Sequence, residues 1–173
     1  MVLNRFRPIL QQLADRDVEF IVVGGMAAVF QAAPITTFDI DVVHSTSAEN
    51  VARLLRALGE VDAYYRLQPE RRFRPNESHL SGPGHQLLMT RFGPLDLLGT
   101  IGKARGYGDL LPHTIEMEIT DGLRVRVLQL DALIATKEEA GREKDLAVLP
   151  ILRATLEEIR KRDAGLSTTS SCG

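Results

Sequence analysis

The sequence predicts a mixed α/β domain of the α+β kind, closed by a C-terminal helical segment. Three observations predict it. Apolar runs of strand length alternate with stripes of helical period over residues 3–59, a hairpin pattern surrounds Asp121-Gly122, and residues 131–162 are helical in period almost throughout. At 173 residues the chain is long enough for one domain with a real core and too short for two of ordinary size. Residues 1–163 are assigned to that domain, and 164–173, with the run from Ser167, are expected to form a disordered tail.

Taken in order, Leu3, Phe6, Ile9, Leu10 and Leu13 recur at the spacing of an amphipathic helix over residues 3–15. Residues 18–23 read as a buried strand ending at Gly24-Gly25. The small residues 26–33 suit a helix that starts just after the glycines and is closed by Pro34. The run Thr37-Phe38-Asp39-Ile40-Asp41-Val42-Val43 reads as the next strand. Ser47 is placed as the N-cap of a helix with the stripe Val51, Leu54, Leu55 and Leu58, stopping at Gly59. Residues 61–65 give a short strand. Residues 69–84, rich in Arg, Pro and Gly, give an exposed loop in which a strand near Phe73 is left open. Residues 86–92 and 95–98 read as strands joined by a turn at Gly93-Pro94. After Gly99, Gly102, Gly106 and Gly108, residues 114–119 and 123–128 alternate as a hairpin. Two helices complete the chain: 131–140, ended by Gly141, and 143–162, with Leu146, Leu149, Leu152, Leu156 and Ile159 as its stripe. Pro150 inside the second predicts a kink or break near Leu149.

Asp39 and Asp41 carry the chemistry. Side chains at i and i+2 of a strand share a face, so both carboxylates project together from an apolar strand. Like charges held that close repel, and a divalent cation turns the repulsion into binding. Asp96, between Leu95 and Leu97, is a third acid that needs a reason to be there. A glycine doublet at a bare turn, two solvated charges or an acid at an exposed strand start is each common alone. The three together, in this order, favour a site.

The bulk numbers narrow the partners. With 44% hydrophobic residues, 25% charged and a formal net charge of -2, the chain lacks the basic excess of a dedicated nucleic-acid binder, so such a substrate would need a local patch. Arg66, Arg71, Arg72 and Arg74 are the candidates for one. A solvated loop is the favoured account of them, and a basic rim that guides a polyanion is the other. His44, His79, His85 and His113 show no metal-ligand spacing, and His44, just past the aspartate strand, is the one placed near the cleft. The single cysteine, Cys172, lies in the tail, so no internal disulfide forms. With no apolar span and no signal core, the sequence reads as a cytoplasmic protein without a membrane partner.

Gly24-Gly25 at a strand-to-helix turn, Asp39 and Asp41 on the next strand and Asp96 on a later one together resemble the polymerase-beta-like nucleotidyltransferase superfamily. Residues 128–137 (LQLDALIATK) followed by 141–146 (GREKDL) resemble the C-terminal signature of the abortive-infection-type, toxin-antitoxin nucleotidyltransferase-like proteins, so the likeness covers most of the chain. The resemblance implies a nucleotidyltransferase-type mixed sheet flanked by helices. It implies Mg2+ (or Mn2+) held by Asp39, Asp41 and Asp96, with Asp96 also helping to activate the nucleophile. It implies that Gly24 and Gly25 let the backbone approach the triphosphate of an NTP such as ATP, with amide donors from the helix that follows. It places Lys137 on the nucleotide phosphates, with Arg142 and Asp145 near the same cleft; Lys144, by contrast, reads as plain surface. The implied reaction moves a nucleoside monophosphate from the NTP to an acceptor hydroxyl on RNA, such as a tRNA end, or on a partner protein. Relatives often carry an arginine shortly before the paired aspartates, where this chain has Ile35. That departure suits the alternative of a catalytically inactive nucleotide-binding module, or an antitoxin-like partner-binding one.

Overall fold

The computed structural model describes residues 2–169. Helix α1 (Val2–Asp15) buries Phe6, Ile9, Leu10 and Leu13, the stripe its period foretold. Strand β1 (Phe20–Val23) is buried along its whole length and runs directly into α2 (Gly24–Phe30). This helix begins at the glycines and stops three residues short of Ala33. Strand β2 (Ile40–His44) starts one residue after Asp39. The Ser47 hydroxyl accepts from the Asn50 amide at 3.3 Å and caps α3 (Ala48–Glu60), which buries Val51, Leu54 and Leu58. Asn50 is itself buried and ties the start of α3 to Glu19, accepting from its backbone N–H at 2.7 Å.

The middle of the chain departs most from expectation. Strand β3 is only Tyr64–Tyr65, and near Phe73 there is one backbone bond, from the Tyr65 N–H at 2.8 Å, rather than a strand. The expected loop contains a 3-10 turn at Pro69–Arg71 and helix α4 (Glu77–Leu80), capped by the Asn76 side chain. Strands β4 (His85–Thr90) and β5 (Gly93–Leu98) are joined at Arg91-Phe92, so Gly93 and Pro94 belong to the strand and not to the turn. Thr90 explains the shift: its hydroxyl donates to the Gly93 carbonyl at 2.8 Å and accepts from the Phe92 amide at 3.1 Å, and so closes the turn two residues early.

After β5 the glycine-rich connection forms α5 (Tyr107–Leu110) and a 3-10 turn at Leu111–His113. The hairpin β6 (Thr114–Thr120) and β7 (Leu123–Leu128) turns at Gly122, whose φ of 74° favours glycine. Helix α6 (Leu130–Ala140) ends at Gly141 in the left-handed region, and α7 (Glu143–Thr169) follows. Of the kink or break expected near Leu149, the break is absent, since α7 is helical on both sides of Pro150. Leu149 and Leu152 are buried, but Leu146, expected in the stripe, is 49% exposed. The helix continues past residue 163 to Thr169, and the tail expectation for residues 170–173 lies outside the described residues.

One seven-stranded mixed sheet in the order β3-β4-β5-β2-β1-β7-β6 organises these elements. The pairs β2/β5 and β1/β7 are parallel and the others antiparallel. Register then lines up a row of side chains on one face: Val23 opposite Asp41, Asp41 opposite Asp96, and Asp96 opposite Leu87. Arg66, just past β3, continues the row, its N–H donating to the Leu87 carbonyl at 3.1 Å. Among the described residues no helix is long and apolar enough to cross a membrane.

Candidate active site

Asp41 and Asp96 are direct partners across the parallel β2/β5 pair, and Asp39 joins them from the residue before β2. One carboxylate oxygen from each lies within 4.8 Å of the other two. Asp39 lies in a bend and not on the expected strand, held by the Thr37 hydroxyl, and the β2/β5 register explains why an acid far along the chain meets Asp41.

Asp41 has its pKa raised to about 7, first by burial and then by the charges of Asp39 and Asp96; Lys137 and Lys144 pull it down. Asp96 is 7% exposed and also raised by burial. Arg66, by hydrogen bond and charge, works against that rise, Asp39 adds to it, and His85 opposes it. Three clustered hard oxygen donors with charge left over fit a hard divalent cation. Such an ion would relieve the repulsion that pushes Asp41 upward.

The glycine doublet is tied to this cluster by packing. Gly24 has φ 63°, and a Cβ there would run into the Asp41 carboxylate. A Cβ on Gly25 would lie 2.8 Å from the Thr37 hydroxyl. That hydroxyl is within 3.1 Å of the Asp39 carbonyl and 3.2 Å of its carboxylate, so it helps fix the approach to β2. Both glycines therefore leave room for the acid-bearing segment.

Lys137, on α6, gives its ammonium to Asp145 at 2.8 Å, while Arg142 Nε reaches the other oxygen of Asp145 at 2.6 Å. The left-handed Gly141 turns the chain between the two helices so that Asp145, 2% exposed, meets both cations. Burial works to raise the Asp145 pKa, but the hydrogen bonds and charges of Lys137 and Arg142 win and lower it. Lys137 is thus held by Asp145 with its charge still felt at Asp41. Lys144, expected to be plain surface, is exposed, and its charge also reaches Asp41.

Arg66 is the residue that sequence reasoning passed over. In place of the solvated loop arginine expected of its group, its NH1 and NH2 engage both oxygens of Asp96, with NH2 at 3.1 Å. The other arginines of that group fold the loop: Arg72 and Arg74 pair with Asp62 at 2.7 and 2.5 Å, and Arg71 lies over the Phe73 ring. His44 is also placed differently from expectation. It is 1% exposed, its Nε2 is 2.8 Å from the Leu80 carbonyl, and burial lowers its pKa against the effect of that bond. Alternation along β2 puts it on the opposite face from Asp41. The histidine whose charge reaches the acids is His85, beside Leu98 in the β4/β5 register.

No family model matches the chain, and no curated protein matches it by sequence. Solved structures resemble it, and two of them are the following. The Thermotoga maritima protein TM1012, a nucleotidyltransferase by assignment, is 22% identical, with 90% of this chain and 92% of that one covered and a TM-score of 0.56. The antibiotic-resistance factor ANT(2'')-Ia is 14% identical, with 97% and 96% covered and a TM-score of 0.59. At these identities the likeness is one of fold, and the fold is that of nucleotidyltransferases.

Proposed function

We propose that the chain is a metal-dependent nucleotidyltransferase that moves a nucleoside monophosphate from an NTP to an acceptor hydroxyl. The convergence of Asp39, Asp41 and Asp96 within 4.8 Å carries this assignment, because so much negative charge in one place is costly without a cation to share it. Asp39, Asp41 and Asp96 would hold Mg2+ or Mn2+, which when bound neutralises charge building on the phosphate oxygens. Asp96 orients the acceptor hydroxyl and takes its proton. The acceptor oxygen bonds to the α-phosphorus, the bond from that phosphorus to the bridging oxygen breaks, and pyrophosphate leaves. Gly24 and Gly25 keep side chains out of the triphosphate's path, and Lys137, steadied by Asp145, attracts the phosphates.

The acceptor we favour is an RNA end or a hydroxyl of a partner protein, with a toxin-antitoxin role and residues 1–163 acting as one cytoplasmic unit. Incubating the chain with each α-labelled NTP and Mg2+, with total RNA or lysate protein as acceptor, tests this. Label should pass to one acceptor class with the wild type and not with Asp39→Ala/Asp41→Ala. Equal transfer by both proteins rules the assignment out. One observation favours an alternative: Arg66 covers both oxygens of Asp96, as suits a module that binds nucleotide without turning it over. In that case ATP binds in the presence of Mg2+ and no label moves.

A further inference from the structure

The third carboxylate is already occupied by a cation of the protein's own. Arg66 meets Asp96 fork to fork, NH1 on one oxygen and NH2 on the other, the arrangement that satisfies a carboxylate best. The lone pairs used in this way face the guanidinium, and only the poorer ones remain for another ligand. Any ion within reach of Asp39, Asp41 and Asp96 would lie against the guanidinium charge in a place that screens weakly, Asp96 being 7% exposed. Arg66 is also built to leave. It follows the two-residue edge strand β3, and its backbone N–H bonds the Leu87 carbonyl independently of the side chain. That side chain, 25% exposed, has besides Asp96 only a long 3.5 Å bond from NH1 to the Leu88 carbonyl among the described residues. Next to it Leu67 is 77% exposed, where the chain departs from the sheet. Lys137 differs, because its partner Asp145 is not one of the clustered acids.

We propose that Arg66 is an exchangeable internal partner of Asp96, a positioning residue that holds the third carboxylate until a divalent cation displaces it, and so sets how tightly the site takes that cation. This rests on the metal-binding role given to the three aspartates. The plain alternative is that Arg66 buttresses Asp96 from behind, as outer partners of metal ligands do, and the two accounts differ in sign. A buttress makes metal affinity fall about 10–100-fold on removal. A competitor makes it rise.

Mn2+ binding to the full chain, read from the free-ion signal by electron paramagnetic resonance, separates them without any turnover. Arg66→Met should bind Mn2+ about tenfold more tightly than wild type, roughly the worth of one charge-assisted pair. Arg66→Lys, which keeps the charge but loses the fork, should fall between. Unchanged or weaker binding by Arg66→Met, with a wild-type circular dichroism melt, overturns the proposal. If Arg66→Met does not fold, unchanged or weaker binding by Arg66→Lys does the same. Asp96→Asn that binds like wild type, while Asp39→Asn/Asp41→Asn does not, sinks the role of Arg66 and spares the metal site. If neither wild type nor the Arg66 variants exceed Asp39→Asn/Asp41→Asn, the metal site and the role of Arg66 fall together.

Discussion

At Asp41 the folded chain carries a carboxyl with a pKa of about 7 in place of 3.8. Between those two values the folded state holds a proton that the unfolded state has lost. The contribution of Asp41 to stability is therefore most favourable below the lower value and declines as pH rises through the window. The melting temperature of Asp41→Asn should gain on that of wild type from pH 4 to pH 8, and Mg2+ should raise the wild-type melt more at pH 8 than at pH 5, since metal and proton compete for one carboxylate. Gly24 gives a second prediction at this scale. Gly24→Ala places a methyl against the Asp41 carboxylate at a φ of 63°, so it should destabilise by about 1–2 kcal/mol in urea and cut transfer about 100-fold. The three aspartates were legible because strand alternation is a local rule and charged residues stand out in apolar runs. Arg66 was not, because its partner lies 30 residues on and meets it only through the β3/β4/β5 alignment.

Where α6 passes into α7, Asp145 bonds a cation from each side of Gly141. Its own side chain is 3% exposed, that of Lys137 17% and that of Arg142 61%, so the Lys137 arm carries most of the energy. Asp145→Ala should cost about 2 kcal/mol in urea unfolding, chiefly by leaving the Lys137 ammonium unpaired. The same pairing, with the Asp145 pKa held below its ordinary 3.8, is present above that value and lost as pH falls through the lower folded one. Elements of three or more turns were readable from their period, as α1 and α3 show. Helix α4 was not, because four residues make too short a periodic signal and the Asn76 cap does most to define it. The unbroken α7 has a local reason as well. Pro150 leaves the Leu146 carbonyl without its helical donor, but Leu146 is 49% exposed and solvent is at hand.

For the molecule as a whole, the three acids meet across β2 and β5, near the middle of the sheet, so on the proposed function ligation and folding would be linked. A cation at 100 times its dissociation constant should stabilise the native state by about 2.7 kcal/mol. Thermal melts with and without Mg2+ should show that gain for wild type and none for Asp39→Asn/Asp41→Asn. The strand order was not readable, because local patterns do not say that β2 sits between β1 and β5.

The alignment of Val23, Asp41, Asp96 and Leu87 also gives the chain a checksum. A one-residue misthreading between β2 and β5 would send one acid through to the reverse side and leave the others without it. During refolding, ion capture would therefore be silent in mispaired collapsed forms and would switch on only once these distant strands had met in their native alignment.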